Sequence, residues 1–444
     1  MSILQRRWFR WGAVVLAAGL LGWVIAGRVS REEPGNAAPL QQSVYVWQRV
    51  WTPQVREAVA SLPPDITELL PLAAEVGFPP GEKKAQVTRV PWDFAVVKEV
   101  SAEITIVIRI GDSGAATKWE PWACEEIQAL AETLVEETES QGVSVAGVQI
   151  DYDCPASRLA DYRKLLTHLG EAKLLQERRL SFTSLPSWLT YDFEGMKGLA
   201  EASDSFVLQV HALDLPKTAN DPVIVMDPGL ARVAVKRAGD LGAPFVVALP
   251  TYSSFVVFDE AADKVVDVIS EDLDFSKLLP EQHLILGEAP EKEIAQLMTE
   301  WSEGSRPRLC DGVVWYRLPV EGDVLNWPTA TWDLVREGVV PERKLELEFR
   351  REPQGFDRVL LRNQGQIPES QFPGTIAIRI ESPATLVGAD GGRWYATPGV
   401  QGAEVIFTRT SQKHDLVPLP VGGEFPVGWV RKTGSSEYDA ELSD

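Results

Sequence analysis

The sequence has few of the residues that build disulfide scaffolds and metal centres. Its 444 residues include only three cysteines, which form no CxxC pair, and only four histidines. Three cysteines cannot hold together a small disulfide-rich scaffold, and the missing CxxC spacing argues against a zinc ribbon or a thioredoxin-like redox site. Phosphate-binding glycine loops, GxSxG elbows and HExxH motifs are also absent from the sequence, which therefore predicts neither a metal nor a cofactor.

Positive charge is scarce as well. Lysines and arginines number 43 against 64 aspartates and glutamates, which gives a formal net charge of −21. A surface of that sign repels phosphate backbones and anionic lipid, so nucleic-acid binding is excluded as the main activity. Apolar residues make up 45% and charged residues 24% of the chain, a composition typical of a globular protein rather than a disordered or fibrous one.

The first 30 residues have the pattern of an export signal. Arg6, Arg7 and Arg10 precede an uncharged run at 11–27, and Arg28 follows it. A basic start before such a run is typical of a secretory signal peptide or of an uncleaved N-terminal membrane anchor. We therefore expect the rest of the chain to be exported, either free in the periplasm or anchored to the cytoplasmic membrane, which it contacts only through this segment.

Short apolar runs alternate with helical segments after a polar linker at 31–42. Eight buried strands separated by helices predict an α/β fold, a (β/α)8 barrel of the TIM type at 43–340, and an open doubly wound sheet is the alternative. The stretch at 256–286 is long for one connection and is interpreted as an insertion after the seventh strand. The strand candidates are 43–51, 85–92, 104–111, 145–153, 179–186, 205–213, 244–252 and 312–319.

The pattern changes after Pro341. Segments such as LELEFRRE, TIAIRIES and AEVIFTRT alternate apolar and polar residues between Gly, Pro and Asn turns, with no helical period. This alternation predicts a C-terminal antiparallel β-sandwich domain at 341–433, to which we assign no chemistry. The last residues, 434–444, are acidic and are expected to form a disordered tail.

The fourth strand candidate carries the strongest chemical signal. Strand alternation places Gln149, Asp151 and Asp153 on one face, which would point into the barrel mouth, the end of a barrel where its strands terminate. Two carboxylates this close resist joint ionisation, so one of them is expected to keep a proton that it can donate. The structural alternative is a pair of acids held by Arg109 on the third strand or capping the following helix.

Polar and aromatic residues at other predicted strand ends are candidate substrate ligands. The apolar face of a sugar ring stacks on aromatic side chains, so an aromatic residue at the eighth strand end would form the floor of a sugar site. For Trp315 the alternative is a place in the barrel core. The candidate substrate-binding residues are Arg109, Gln149, Gln209, His211, Tyr252, Trp315 and Arg317.

Two cysteines lie at adjacent predicted loops. Cys124 opens the helix after the third strand, and Cys154 directly follows the fourth. Export would permit a disulfide between them, which would leave Cys310 unpaired.

The fourth strand resembles the signature DGxDxDxE of chitinase-like (family 18) glycoside hydrolases. In that signature alternate inward acids end in the glutamate that protonates the glycosidic oxygen. Gly147 matches the glycine, Asp151 matches the last aspartate, and Asp153 takes the place of the glutamate, while Ala146 and Gln149 replace the first two aspartates.

A wider resemblance covers most of residues 43–340. The segments YVWQRVW, VQIDYDCP, RLADYRKLL and LSFTSLPSWL together resemble an uncharacterised bacterial family, domain of unknown function 3142. That resemblance implies a barrel-like fold and carries no established activity.

The sequence thus predicts an exported protein of glycoside-hydrolase type that acts on a polysaccharide or glycoside. Asp153 would donate the proton, and Asp151 would support it or act as the second carboxylate. The alternative is a catalytically inactive barrel that binds envelope polysaccharide or a protein partner.

Overall fold

The computed structural model describes residues 38–79, 82–111, 118–270, 279, 282–410 and 417–443. The predicted export signal at 1–30 lies outside these residues. No helix of the described ranges is long and apolar enough to cross a membrane.

Twenty strands and nine α-helices make up the described chain. The strands are β1 (Gln41–Val46), β2 (Ile66–Gly77), β3 (Gln86–Arg89), β4 (Glu103–Ile110), β5 (Val145–Asp151), β6 (Arg179–Ser184), β7 (Ser205–Gln209), β8 (Phe245–Pro250), β9 (Ser253–Asp259), β10 (Lys264–Ile269), β11 (Gln282–Glu288), β12 (Cys310–Tyr316), β13 (Leu345–Arg351), β14 (Asp357–Asn363), β15 (Thr375–Ile380), β16 (Thr385–Gly391), β17 (Tyr395–Ala396), β18 (Glu404–Arg409), β19 (Glu424–Thr433) and β20 (Tyr438–Ser443). The helices are α1 (Pro53–Ala60), α2 (Phe94–Val97), α3 (Pro121–Ser140), α4 (Leu159–Glu171), α5 (Pro186–Tyr191), α6 (Phe193–Ala200), α7 (Pro228–Gly239), α8 (Glu291–Ser302) and α9 (Thr329–Arg336).

The first of two compact units holds the barrel. This unit comprises the chain up to Ala212, Met226–Pro250 and Glu300–Leu318. Its strands follow the order β1-β12-β8-β7-β6-β5-β4-β2, and β1 pairs in parallel with both β12 and β2, which closes the sheet. The predicted eight-stranded parallel barrel is therefore confirmed, and the open doubly wound sheet is excluded.

The second barrel strand differs from the prediction. Segment 85–92 was expected to supply it, but β3 is a short edge strand that pairs antiparallel with β2. The barrel strand is β2 itself, whose Leu, Ala and Glu residues and Pro71 do not have the alternation of a half-buried strand. A β-bulge between Leu72 and Ala74 shifts the register of β2 against β4. Leu72 lies opposite Val107 and Glu75 opposite Arg109, so both Leu72 and Glu75 face the interior.

Apolar side chains fill the interior of the barrel. They come from strands on all sides of it, as expected for a packed core rather than a pore. The half-buried Trp92, Val246 and Tyr316 pack against this group. The buried members are Tyr45, Trp47, Leu70, Leu72, Val90, Val107, Val207, Ala248 and Val314.

The second unit comprises Leu213–Val225, Thr251–Thr299 and Pro319–Asp444. Strands β9, β10 and β11 form a three-stranded antiparallel sheet within the segment predicted as an insertion. Further along the chain, two four-stranded antiparallel sheets, β13-β14-β19-β16 and β17-β18-β15-β20, enclose one shared apolar core. The predicted C-terminal antiparallel sandwich is confirmed.

The C-terminal segment is a strand, which corrects the prediction of a disordered tail at 434–444. Strand β20 pairs antiparallel with β15, and its side chains Tyr438 and Leu442 pack against the sandwich core. The Tyr438 ring stacks on Phe349 at a centroid distance of 4.3 Å. Apolar residues alternate with acids in this segment, and the acidic composition obscured that period of two.

The three cysteines are free and buried, so the predicted disulfide between Cys124 and Cys154 is wrong. The Cys124 thiol on α3 faces the backbone carbonyl of Trp119 at 3.7 Å. The carbonyl of Cys154 accepts a hydrogen bond from the indole of Trp188 at 2.9 Å, which holds this residue in the core. Both residues thus behave as small buried side chains.

Thiol titration checks this arrangement. Burial raises the pKa of Cys124 to about 11 and the pKa values of Cys154 and Cys310 to about 12. Because the thiolate is the reactive form, we expect the native protein to react very slowly with a thiol reagent. After denaturation without reductant all three thiols should react, and a count of one would restore the disulfide.

Candidate active site

Strand β5 passes close to its neighbouring strands at Gly147, two residues before Gln149. A Cβ atom on Gly147 would lie 2.8 Å from Thr105 Oγ1 and 3.0 Å from the carbonyl oxygen of Arg179. The first contact is shorter than real Cβ atoms show and the second is very tight, so a larger residue here would have to displace Thr105 or the neighbouring strand. This packing explains in physical terms the residue that matches the chitinase-like signature.

Gln149 lies inside the barrel and is fully enclosed, with 1% of its surface exposed. Its Oε1 accepts a hydrogen bond of 2.5 Å from the Tyr45 hydroxyl, and its Nε2 donates one of 3.1 Å to Ser181 Oγ. The structure thus places Gln149 as a support beneath the site rather than where a substrate would touch it.

Asp151 follows on the same face and is buried, with 5% of its surface exposed. Its Oδ1 accepts hydrogen bonds from Thr183 Oγ1 at 2.7 Å and from Gln209 Nε2 at 3.2 Å. Its Oδ2 lies 3.8 Å from Arg109 Nε. Both oxygens therefore have protein partners, which suits Asp151 to positioning and to providing negative charge.

Asp153 lies two residues beyond the end of β5 and is exposed to solvent. The surrounding protein atoms and the charge of Asp151 raise the pKa of the Asp153 carboxyl to about 7, although Arg109 acts in the opposite direction. Loss of part of its hydration and a neighbouring like charge both disfavour the ionised form. The barrel mouth therefore contains a solvent-accessible acid that keeps its proton close to neutral pH.

Arg109 is the penultimate residue of β4 and lies beside these acids. Burial acts to lower its pKa, but the negative charges of Asp151, Asp153 and Glu75, with a contribution from Tyr316, raise it. Its guanidinium carbon lies 5.7 Å from the centroid of the Trp47 ring, and 38% of its side chain is exposed. Arg109 is therefore a permanently charged group on an aromatic surface, as a cation–π contact requires.

Four rings line the mouth beside the acids. The ring centroids of Trp47 and Tyr316 lie 5.2 Å apart, and the Tyr45 ring contacts both of these rings. The His211 ring stacks on Tyr316 with a centroid distance of 5.0 Å and an interplanar angle of 19°. Tyr45 and Trp47 are buried, whereas Tyr316 and His211 are half-buried. Burial lowers the pKa of His211 to about 4, so this ring is neutral at physiological pH. Tyr316 and His211 thus offer ring surface to a ligand.

One predicted substrate ligand, Trp315, does not lie among these rings. Trp315 has no exposed surface, points to the opposite face of β12, and donates from Nε1 to Gln42 Oε1 at 3.0 Å. Arg317 is 6% exposed. Strand alternation explains the position of Trp315, because Val314 and Tyr316 face the interior. Tyr252 belongs to the second unit, where its backbone pairs with that of Asn326.

The sequence analysis missed several residues that the structure brings to the site. They are Tyr45 and Trp47 on the first strand and its extension, Thr183 on β6, and Tyr316 on β12. Alternation along YVWQRVW carried a signal for the first two, but which face points inward becomes clear only once neighbouring strands are paired. Among the described residues, no three His, Cys, Asp or Glu side chains cluster in a way that could hold a metal ion.

Comparison with known families confirms the suspected resemblance. The model of a domain of unknown function, DUF3142, matches residues 104–321, which include most of β4, the two acids and all of β12. A search of curated proteins finds no match.

Solved structures of similar fold include several enzymes at low identity. The spore cortex-lytic enzyme SleL of Bacillus megaterium QM B1551 is 14% identical, with a TM-score of 0.46 over 70% of this chain and 75% of that one. A chitinase from Chromobacterium violaceum ATCC 12472 is 12% identical, with a TM-score of 0.44 over 67% and 98%. Chitinase ChiA74 from Bacillus thuringiensis is 10% identical, with a TM-score of 0.42 over 91% and 100%.

Proposed function

We propose that this barrel is a glycoside hydrolase in which Asp153 donates the proton to the leaving sugar oxygen. The observation that carries the proposal is a solvent-accessible carboxyl with a raised pKa in a barrel mouth where Arg109 interacts with both this carboxyl and Tyr316, on which the half-buried ring of His211 stacks. A general acid must be protonated at working pH and reachable by substrate, and Asp153 meets both conditions. The ring pair supplies a surface on which a sugar can stack.

The reaction breaks the bond between the anomeric carbon and the glycosidic oxygen. The proton of Asp153 passes to that oxygen, which departs as an alcohol, and positive charge develops on the sugar ring. The negative charge of Asp151 stabilises that charge. A water molecule then adds to the anomeric carbon and returns a proton to Asp153, which restores the acid.

Asp151 does not act as the nucleophile in this scheme because its oxygens are already engaged by Thr183, Gln209 and Arg109. Attack would therefore come from water or from a group of the substrate itself, as in substrate-assisted glycosidases. Asp151 in this proposal orients Arg109 and raises the pKa of Asp153.

A second candidate function is a sugar-binding barrel without catalysis. It is favoured because the other carboxylates in the mouth are already paired within the protein. Asp151 has three partners, and Glu75 is paired with Arg49 at 2.8 Å. Such a protein would bind an envelope polysaccharide or a protein partner through the same ring surface. The rings and the guanidinium serve binding equally well, so catalysis must be measured directly.

The test is a screen of the purified protein against bacterial and plant polysaccharides, with binding and newly formed reducing ends measured on the same samples. New reducing ends that disappear in the Asp153→Asn variant support the hydrolase. Binding without new ends supports the sugar-binding alternative, and neither binding nor cleavage contradicts both.

We further propose that the protein works outside the cytoplasm. The basic residues before the apolar run at 11–27 support this placement. A reporter enzyme that is active only in the cytoplasm, fused after residue 444, should be silent. The same reporter fused to a chain that lacks residues 1–30 should be active, and equal activity of both fusions would contradict export.

A further inference from the structure

Two arginines lie at the barrel mouth, and their guanidinium groups are used differently. Arg49 donates from Nε and Nη2 to the two carboxylate oxygens of Glu75, at 3.0 Å and 2.8 Å. Arg109 has a single ion-pair contact, 3.8 Å from its Nε to Asp151 Oδ2, which is too long for a hydrogen bond. The Arg109 guanidinium donates no hydrogen bond to any residue that the structure describes.

The forked guanidinium group of Arg109 (its fork) is held in place without hydrogen bonds from its N–H groups. The residue lies near the end of β4, a strand paired on both sides within the closed sheet, and its guanidinium carbon lies over the Trp47 ring. Trp47 in turn contacts Tyr316, one of the half-buried rings proposed to stack on sugar. The fork therefore lies beside the proposed sugar surface and is already oriented.

Three acids lie near Arg109, namely Asp151, Asp153 and Glu75, and they leave most of its N–H donors unused. Asp151 lies on one side of Arg109, and its Oδ1 is occupied by Thr183 and Gln209. A second carboxylate that approaches the remaining donors breaks no hydrogen bond of the protein. Glu75 is neutralised by Arg49, and loss of hydration together with the charge of Asp151 raises the pKa of Asp153 to about 7, so neither acid competes strongly for the unused donors.

We propose that Arg109 binds a carboxylate carried by the sugar substrate, so that the barrel mouth takes an acidic glycan rather than a neutral one. This inference rests on the proposed carbohydrate function and adds the class of substrate. A carboxylate matches the planar guanidinium fork in a bidentate arrangement, which a neutral hydroxyl does not. The group would be a uronic acid or a carboxylate-bearing substituent on the ring.

Paired ligands test the proposal. Oligogalacturonate, a hyaluronan tetrasaccharide and the disaccharide repeat of peptidoglycan are each compared with their carboxyl-reduced forms. Binding is measured in the Asp153→Asn background, where hydrolysis does not consume the ligand. For at least one probe we expect the acidic form to bind about tenfold or more tightly than the reduced form. Arg109→Gln should lower affinity for the acidic form about 10–100-fold and change affinity for the reduced form less than about twofold.

Two matched lysine variants provide the control. Arg109→Lys keeps the charge but loses the fork, so it should reduce the preference for the acidic form several-fold, and it carries the test if Arg109→Gln does not fold. Arg49→Lys makes the same change where the fork is already used by Glu75, and the preference should stay as in the parent. Equal binding of both forms, or an equal change of preference in both lysine variants, overturns the inference and leaves the carbohydrate function standing. Binding of neither form of any probe contradicts the carbohydrate function itself.

Discussion

Replacement of Asp153 by asparagine is expected to lower glycoside hydrolysis about 10²–10⁴-fold, while the fold and sugar binding persist. Asparagine keeps the shape of the side chain and removes the proton that the leaving oxygen needs. Because Asp153 is exposed and lies beyond the end of β5, the change should have little effect on thermal unfolding. The measurements are kcat on the glycan identified by the screen, its Kd, and the melting temperature.

Asp153→Glu is the matched control, because it retains a carboxyl at the position where the chitinase-like signature has glutamate. Its activity should stay much closer to that of the parent than the activity of Asp153→Asn. Equal activity of the asparagine variant and the parent would remove Asp153 from the mechanism.

The pH dependence follows from the same group. The protonated form of Asp153 is the active one, and its pKa is raised to about 7 by the surrounding protein and by Asp151. The rate should therefore be fully present below this pKa and fall about tenfold per pH unit above it. Asp151→Asn removes the neighbouring negative charge, so the pKa of Asp153 should fall and the alkaline limb of the profile should move to lower pH. An unmoved limb would show that Asp151 does not act on Asp153.

Two adjacent residues on β12 should respond in opposite ways to truncation. Trp315→Ala removes a side chain with no exposed surface and is expected to lower the free energy of unfolding by about 3–5 kcal/mol. Its effect on glycan affinity should be small, because this indole lies on the outer face of the strand. Tyr316→Ala removes a half-buried ring and should weaken glycan binding by about tenfold, with a smaller loss of stability.

Conservative variants separate the two effects. Trp315→Phe should recover part of the stability, and Tyr316→Phe should keep most of the affinity because the stacking ring remains. Denaturant unfolding and isothermal titration on the same preparations provide both readouts. If Trp315→Ala abolished binding and left stability unchanged, the assignment of the two faces of β12 would be wrong.

The sequence predicted the barrel because most of its strands are apolar runs bounded by helical segments. It also predicted the interior position of Gln149 and Asp151, since one polar set on a buried strand can face only the mouth. It did not predict β2 as a barrel strand, because the composition of β2 is not typical of a strand and its bulge interrupts the alternation of side chains. It failed again at Trp315, because alternation shows which residues share a face but not which face is inside.

The features of the site that the sequence did not predict depend on contacts between residues far apart in the chain. The hydrogen bond from Tyr45 to Gln149 joins residues 104 positions apart, and that from Gln209 to Asp151 joins residues 58 positions apart. In neither pair does a local sequence motif indicate which residue the partner is. The disulfide prediction failed for a related reason, since closeness of two loops in order around the barrel says nothing about where their thiols point.

The bulge in β2 lets the strand hold one extra residue without changing the charges at the mouth. With the bulge, Leu72 and Glu75 both face inward although they lie three positions apart, and Glu75 reaches Arg49 and the field of Arg109. Loss of the extra residue would restore plain alternation and leave these two residues two positions apart, which again places them on one face of the strand. Arg49 would keep its carboxylate partner in either case. A deletion at this point of such a barrel can therefore shorten a strand and leave the charge pairing of the mouth as it was.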